Sequence, residues 1–247
     1  MAPDETLLSV QHLDAGYGPL KILRGIDLQA DRGEVIGIFG RNGAGKTTLL
    51  EAISGLLRSS GGSVRLNGRD LTHRRAHVIA RAGVALVPQW CGLFPGLTTE
   101  SNIRLGCRGT GKSRSETADR IEQTFERFPG LASRRHVKAG ALSGGEQRIL
   151  AIAKALVRDP LVLLLDEPSI GLAPIIVDQV AEVIQGLRGS DHVTLIAEQR
   201  VDWALDAVDR GVVIEGGAIT NTLTSETRST WLESIEQLLG LGLPDPT

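Results

Sequence analysis

Apolar positions along the chain follow two rhythms. Val35-Ile36-Gly37-Ile38-Phe39 and Leu161 to Leu165 are short runs without a polar break, and Val193 to Ala197 is interrupted only by Thr194. Such runs predict strands covered on both faces. In other stretches apolar residues recur every three or four positions, which predicts helices over Ser143 to Val157 and Ile175 to Leu187. The same spacing joins Leu49, Leu50, Ile53, Leu56 and Leu57, with an expected stop before Gly61-Gly62. Upstream, Leu7 to Val10 and Ile26 to Leu28 read as short strands with Gly16 and Gly18 between them. Val64 to Gly68 reads as a strand and turn, and Val212 to Ile214 before Gly216-Gly217 as a hairpin. Trp231, Leu232, Ile235, Leu238 and Leu239 form one apolar stripe, which predicts a C-terminal helix over about 229–240 packed on its own core. Strands alternating with helices predict an α/β fold whose parallel sheet is covered on both faces.

The stretch from about 90 to 142 departs from this rhythm. It is mostly helical in pattern and carries nine Lys and Arg against five Asp and Glu, in a chain of net charge −2. It is marked as an inserted helical lobe, its charge either a solvated face or a docking surface. A length of 247 residues fits one domain with such an insertion. Aromatics are 3% of residues, which argues against platforms for stacking single-stranded nucleic acid, and the net charge gives no drive toward DNA. No nucleic-acid partner is expected. Cys91 and Cys107 match no metal spacing and do not make a disulfide scaffold. The start, Met1 to Glu5, lacks the features of an export signal, and no apolar run approaches the ~20 residues that span a bilayer. A cytoplasmic, reducing setting is expected, and any membrane part would come from another chain.

Gly40-Arg41-Asn42-Gly43-Ala44-Gly45-Lys46-Thr47 fits G-x-x-x-x-G-K-[ST], with a predicted strand before it and a helix after it. Glycines let successive N–H groups converge on phosphate oxygens at a helix start. Lys46 would reach the β and γ phosphates of a bound nucleotide, and the Thr47 hydroxyl would ligate Mg²⁺, with Thr48 next in the loop. The run Leu161 to Leu165 delivers Asp166 and Glu167 to the carboxyl end of a buried strand, where open α/β sheets bind ligands. Asp166 would hold Mg²⁺ through water, and Glu167 would orient the attacking water. Leu142-Ser143-Gly144-Gly145-Glu146-Gln147 reads locally as a capping box of Ser143 and Glu146 opening a helix. Capping leaves Gly144 and Gly145 unexplained, since glycine is a poor helix residue.

Together these segments resemble the ABC (ATP-binding cassette) ATPases. The glycine loop is similar to their Walker A motif, the run ending in Asp166-Glu167 to Walker B, and Leu142 to Glu146 to the LSGGQ-type signature. The separations match, and the likeness covers essentially the whole chain as one ABC ATPase domain, residues 1–247. The resemblance implies a P-loop nucleotide-binding fold. Its parts are a mostly parallel core sheet, an N-terminal antiparallel β-subdomain and the inserted helical subdomain. It implies ATP and Mg²⁺ as cofactors and a head-to-tail pair of cassettes. In that pair Ser143, Gly144 and Gly145 of one chain complete the ATP site of the other.

By the same resemblance Tyr17 would stack on adenine. Gly40, Asn42, Gly43, Ala44 and Gly45 would cradle phosphate, Gln89 would contact Mg²⁺, and Ser169 to Leu172 would cross the dimer interface. Gln199 stands where the family has histidine. Its amide can donate to a γ-phosphate but cannot take a proton. Among the histidines, His192 is nearest to that position in sequence. Glu198-Gln199 and Gly171-Leu172-Ala173-Pro174 resemble the ATPases of branched-chain amino acid importers, although that subfamily often has glutamate where Gln89 stands. The resemblance implies a second cassette, identical or different, integral membrane permeases, and indirectly a substrate-binding protein. The site would be peripheral, on the inner face of the cell membrane. Trp90, Leu93 and Phe94 would help receive the permease. Urea or short amides remain open as substrates. So do a soluble ABC role, which the single cassette and lack of heptads disfavour, and a nucleotide-dependent regulator with slow turnover.

Overall fold

A computed structural model describes residues 6–224 together with Trp231 and Ile235. The first strands form a long hairpin, β1 (Thr6–Tyr17) and β2 (Leu20–Asp31). Each is twelve residues, far longer than the short segments expected from Leu7 to Val10 and Ile26 to Leu28. Bulges around Leu13 and Ala15 break the register, and His12 takes a positive φ of 47°. The alternation of apolar and polar residues is therefore interrupted while the pairing continues. β4 (Ser59–Leu66) pairs with β1, and the two-residue β5 (Arg69–Asp70) pairs with β4, giving an antiparallel sheet ordered β2-β1-β4-β5.

The second sheet has six strands. β3 (Val35–Phe39), β6 (Val84–Val87), β7 (Val162–Asp166), β8 (Val193–Glu198), β9 (Arg210–Glu215) and β10 (Ala218–Leu223) follow the order β10-β9-β3-β8-β7-β6. All neighbours run parallel except the β9–β10 hairpin. The α/β class and its two sheets thus match expectation.

The unbroken apolar runs have a simple cause. Ile36, Ile38, Val162, Leu164, Leu195 and Ala197 point into a core shared with the antiparallel sheet and α1 (Lys46–Ser54). Val35, Phe39, Leu163, Leu165 and Ile196 point into a second core. There they meet α6 (Gly144–Leu156) and α7 (Pro174–Gln185). Alternate residues on a strand face opposite ways, so both must be apolar here.

Several boundaries differ from the sequence expectation. α1 ends at Gly55, whose φ of 73° suits a left-handed cap, so Leu56 and Leu57 lie beyond it and Leu56 is exposed. Gly61 and Gly62 belong to β4 rather than to a break. α2 (Ala76–Ala82) and β6 were not expected as elements. Trp231 and Ile235 are helical and buried in the second core, whereas Leu232, Leu238, Leu239 and Met1 to Glu5 lie outside the described residues.

Within 90–142 lie α3 (Thr99–Gly106), α4 (Arg114–Arg127), α5 (Pro129–Ala132) and a 3₁₀ turn, Ala139–Ala141. They enclose a third core of Ile103, Ile121, Phe125, Phe128 and Leu131, closed by Leu150 and Ala153 from α6 and by Val157 at its C-terminal cap. Much of the lobe's charge is neutralised locally. Arg135 pairs with Glu100 at 2.8 Å and Glu122 at 2.6 Å, and Arg134 with Glu146 at 3.0 Å. No helix among the described residues is long and apolar enough to cross a membrane.

Candidate functional site

The register of β7, β8 and β3 assembles the site. Asp166 lies opposite Ala197 and Phe39 opposite Glu198, so Gly40, Glu167 and Gln199 leave the same edge of the sheet. This is the carboxyl edge, where such sheets place ligands.

Gly40 packs under β9, and a Cβ there would stand 2.6 Å from the Ile214 carbonyl oxygen. Gly45 has φ 114°, and a Cβ there would meet Leu23 Cδ2 at 2.8 Å. The loop between them can therefore be built only with glycine at both ends. Ala44 is buried behind the loop. Lys46 begins α1 and is 4% exposed. Its Nζ donates to the carbonyls of Gly40 (2.9 Å) and Arg41 (3.3 Å) and lies 3.4 Å from Glu167 Oε1. Thr47 Oγ1 donates to Asp166 Oδ1 at 3.0 Å. Burial pushes the Asp166 carboxyl above its ordinary range, a shift that the Thr47 hydrogen bond opposes. Glu167 leaves the strand with a positive φ of 45°, and its N–H donates to the Ala197 carbonyl at 2.9 Å. A non-glycine residue held in this region is a strained one. Gln89 Nε2 donates to Glu167 Oε2 at 3.2 Å.

An open cleft of about 450 Å³ lies over this arrangement. It is lined by Tyr17, Asn42, Gly43, Gly45, Lys46, Thr47, Thr48, Gln89 and Glu167, with Ile22 and Ile170 at its sides. Nine expected residues are thus brought together. The Tyr17 hydroxyl donates to Glu51 Oε2 at 2.6 Å, a bond that raises the phenol pKa. Among the described residues no cluster of three His, Cys, Asp or Glu could hold a metal by itself. Thr47, Asp166 and Gln89 offer hard oxygen donors, a set that suits Mg²⁺ completed by phosphate and water.

Three expected residues lie apart from this cleft. Ser143, Gly144 and Gly145 open α6, where Ser143 and Glu146 form the capping box (Ser143 N–H to Glu146 Oε2 2.8 Å, Glu146 N–H to Ser143 Oγ 3.3 Å). Packing explains one glycine, since a Cβ on Gly145 would be 2.3 Å from Ile176 Cγ2. It does not explain Gly144, which is exposed with nothing closer than Leu172 Cδ2 at 3.9 Å. Gln199 is half-buried just past β8, and its N–H donates to Glu198 Oε2 at 3.2 Å. His192 is close to Gln199 only in sequence. It precedes β8, at the opposite end of that strand, where it lies beside Ser190.

Two residues escaped the sequence reading. Arg148 is 4% exposed and donates to the Gln89 carbonyl at 2.9 Å, tying α6 to the loop that carries Gln89. Its signal was a charged residue on the buried stripe of a helix. Glu198, 2% exposed, accepts the Ser169 N–H at 2.9 Å. The sequence marked it only as half of the Glu198-Gln199 pair, with no role of its own.

Near Gln89 the chain turns outward. Trp90 and Phe94 are 77% and 53% exposed. Asn102 stitches this loop, accepting from the Phe94 N–H at 2.9 Å and donating to the Phe94 carbonyl at 3.0 Å. Lys154 Nζ lies 4.9 Å from the centre of the Phe94 ring. An apolar groove of about 390 Å³ runs beside Trp90, between Leu56, Leu86, Leu105 and Ala151.

A phosphate loop, an Asp-Glu strand end and a second, separate glycine helix start on one α/β frame define an ATP-binding cassette. The family profile described as "ABC transporter" matches residues 23–170. The chain belongs to the ABC transporter family and is an ATPase. It is 38% identical over 213 residues to the high-affinity branched-chain amino acid transport ATP-binding protein BraG of Pseudomonas aeruginosa, covering 86% of this chain and 91% of that one. It is 37% identical to the probable branched-chain amino acid transport ATP-binding protein LivF of Archaeoglobus fulgidus, covering 86% and 90%. The lipopolysaccharide export system ATP-binding protein LptB of Haemophilus influenzae is 33% identical, with 90% and 92% covered. Among solved structures, the nucleotide-free ATP-binding cassette from an ABC transporter superposes with a TM-score of 0.80 at 26% identity, covering 92% and 95%.

Proposed function

We propose that this cassette binds and hydrolyses Mg-ATP at a site completed by a second cassette, and that it powers uptake of branched-chain amino acids. The observation that carries the two-cassette reading is Gly144. It is a helix-opening glycine left exposed, away from the cleft, with no intramolecular contact that requires it. A bare backbone at a helix start is suited to phosphate. Ser143, Gly144 and Gly145 would face the γ-phosphate held by the partner cassette.

Within the cleft, Tyr17 would stack on adenine, and Gly40, Asn42, Gly43, Ala44, Gly45 and Thr48 would shape the phosphate cradle around Lys46. Thr47, Asp166 and Gln89 would hold Mg²⁺, which when bound neutralises charge on the β and γ phosphates. Glu167 would orient water toward the γ-phosphorus and take its proton as the bond to the ADP oxygen breaks. Gln199 would donate a hydrogen bond to the γ-phosphate without taking a proton. The exposed Trp90 and Phe94 beside an apolar groove suit an apolar helix from a membrane permease. This would hold the cassette at the inner face of the membrane.

The substrate reading is supported by the BraG and LivF likenesses, and the LptB likeness favours export as the second reading. Tagged Glu167→Gln protein, recovered with Mg-ATP from solubilised host membranes, separates them. Permease chains together with a binding protein that takes up leucine, isoleucine or valine support uptake. A permease without a binding protein supports export. Recovery of soluble partners alone overturns the transporter reading.

A further inference from the structure

Backbone pairing between β7 and β8 ends at Asp166 and Ala197, followed by a last bond from the Glu167 N–H to the Ala197 carbonyl at 2.9 Å. Beyond that point the two chains separate. One becomes the turn from Glu167 to Leu172, closed by the Ile170 and Leu172 N–H groups bonding to the Glu167 and Ser169 carbonyls, each at 3.2 Å. The other becomes the loop starting at Gln199. Glu198 spans the gap. Its Oε1 accepts the Ser169 N–H at 2.9 Å, and its Oε2 accepts the N–H groups of Gln199 (3.2 Å) and Arg200 (3.4 Å). Glu198 and Ser169 are 2% and 1% exposed. A carboxylate so deeply buried is costly unless several donors meet it, and these three backbone groups do so.

We infer that Glu198 is a positioning residue, a strap that makes the turn at Ser169 and the loop carrying Gln199 move as one unit. The turn also supplies Ile170, which is exposed and lies at the side of the nucleotide cleft. Displacement of the turn from outside would therefore be passed to Gln199 through one side chain. The inference rests on the proposed role of Gln199 toward the γ-phosphate.

Two variants test it. Glu198→Gln keeps the shape but turns an amide NH₂ toward N–H donors. Glu198→Asp keeps the charge and can still cap its own loop, but is a methylene too short to span to Ser169. ATPase rates at saturating ATP, KM for ATP and melting temperatures are compared with wild type and with Glu167→Gln. Both Glu198 variants are expected to lose turnover by roughly ten- to a hundredfold, the scale of one or two charge-assisted bonds, with KM changed by about twofold or less. Wild-type turnover in Glu198→Asp shows that the carboxylate only caps its own loop and overturns the strap, even if Glu198→Gln fails to fold. Equal losses through KM and turnover overturn it as well. A wild-type protein without ATPase activity, or a Glu167→Gln protein that retains it, faults the reading of the site instead.

Discussion

Gly144 and Gly145 are neighbours in sequence, yet their surroundings predict opposite responses to alanine. At Gly145 the new methyl would sit 2.3 Å from Ile176 Cγ2 and 3.2 Å from both its Cδ1 and Cγ1. Cγ2 is fixed to a branched β-carbon and cannot swing away as a chain end would. Overpacking of this kind costs about 1–3 kcal/mol, and the gain in helix propensity returns at most about 1 kcal/mol. Gly145→Ala should therefore lose about 1–2 kcal/mol, a fall of roughly 2–8 °C in melting temperature for a chain of this size. At Gly144 the nearest atom is 3.9 Å away, so only the propensity gain remains. Gly144→Ala should melt at or above wild type while losing ATPase activity, because its methyl projects where phosphate would approach. The assay is thermal unfolding of both variants and of Gly145→Ala with Ile176→Ala, alongside ATPase rates. Ile176→Ala alone is the reference, and adding Gly145→Ala to it should cost less than adding it to wild type, because the clashing carbon is gone. Identical melting of Gly144→Ala and Gly145→Ala, or losses that simply add in the double variant, refutes the packing account of Gly145.

Other expectations follow from the same geometry. Trp90→Asp and Phe94→Asp should abolish stimulation of the ATPase by permease and leave basal ATP binding intact; Leu93 is a poorer probe because it leans on two cores, and equal loss of both activities would refute the docking role. Arg148→Met keeps the apolar stem but removes the donor to the Gln89 carbonyl, so turnover should fall together with about 1–3 kcal/mol of stability, read by ATPase assay and urea unfolding. The His192 imidazole is held below its ordinary 6.5 chiefly by burial, with Arg127 adding to the effect, so the unfolded chain takes the proton first. Its contribution to stability is thus complete above pH about 6.5 and is lost as pH falls below it; His192→Asn should flatten this part of the stability curve without changing ATPase activity at pH 8.

What could be read from sequence was whatever depends on local pattern. Val35 to Phe39 and Leu161 to Leu165 were legible because a strand buried on both faces leaves no polar position. The phosphate loop was legible because its glycines, lysine and threonine are consecutive. The β1–β2 hairpin was under-read because bulges shift its alternation while its hydrogen bonds continue. The end of α1 was misplaced because Gly55 caps it in a left-handed conformation, while Leu56 and Leu57 extend the apolar spacing past the cap. The roles of Arg148 and Glu198 were hidden for another reason. Each acts on backbone groups brought near by tertiary folding, 59 positions away at the Gln89 carbonyl and 29 at the Ser169 N–H. His192 shows the converse, since nearness in sequence along an extended strand carries a side chain to the far edge of the sheet.

Helix α6 has a consequence for how this sequence can change. From Gly145 to Val157 no residue is exposed. Ala151, Ile152 and Ala155 belong to the core beneath the parallel sheet, Leu150, Ala153 and Val157 to the core of the helical lobe, and Arg148 to the Gln89 loop. An ordinary surface helix keeps a polar side on which substitutions accumulate without penalty. This one has no such side, so a change at nearly any position must be absorbed by one packed core or the other. Divergence along the chain should therefore be slowest through this helix and fastest on α4, whose outward residues, such as Ser115, Asp119 and Gln123, face solvent. The segment opened by Ser143 would then remain readable after much of the surrounding lobe had drifted, for reasons of packing as much as of chemistry.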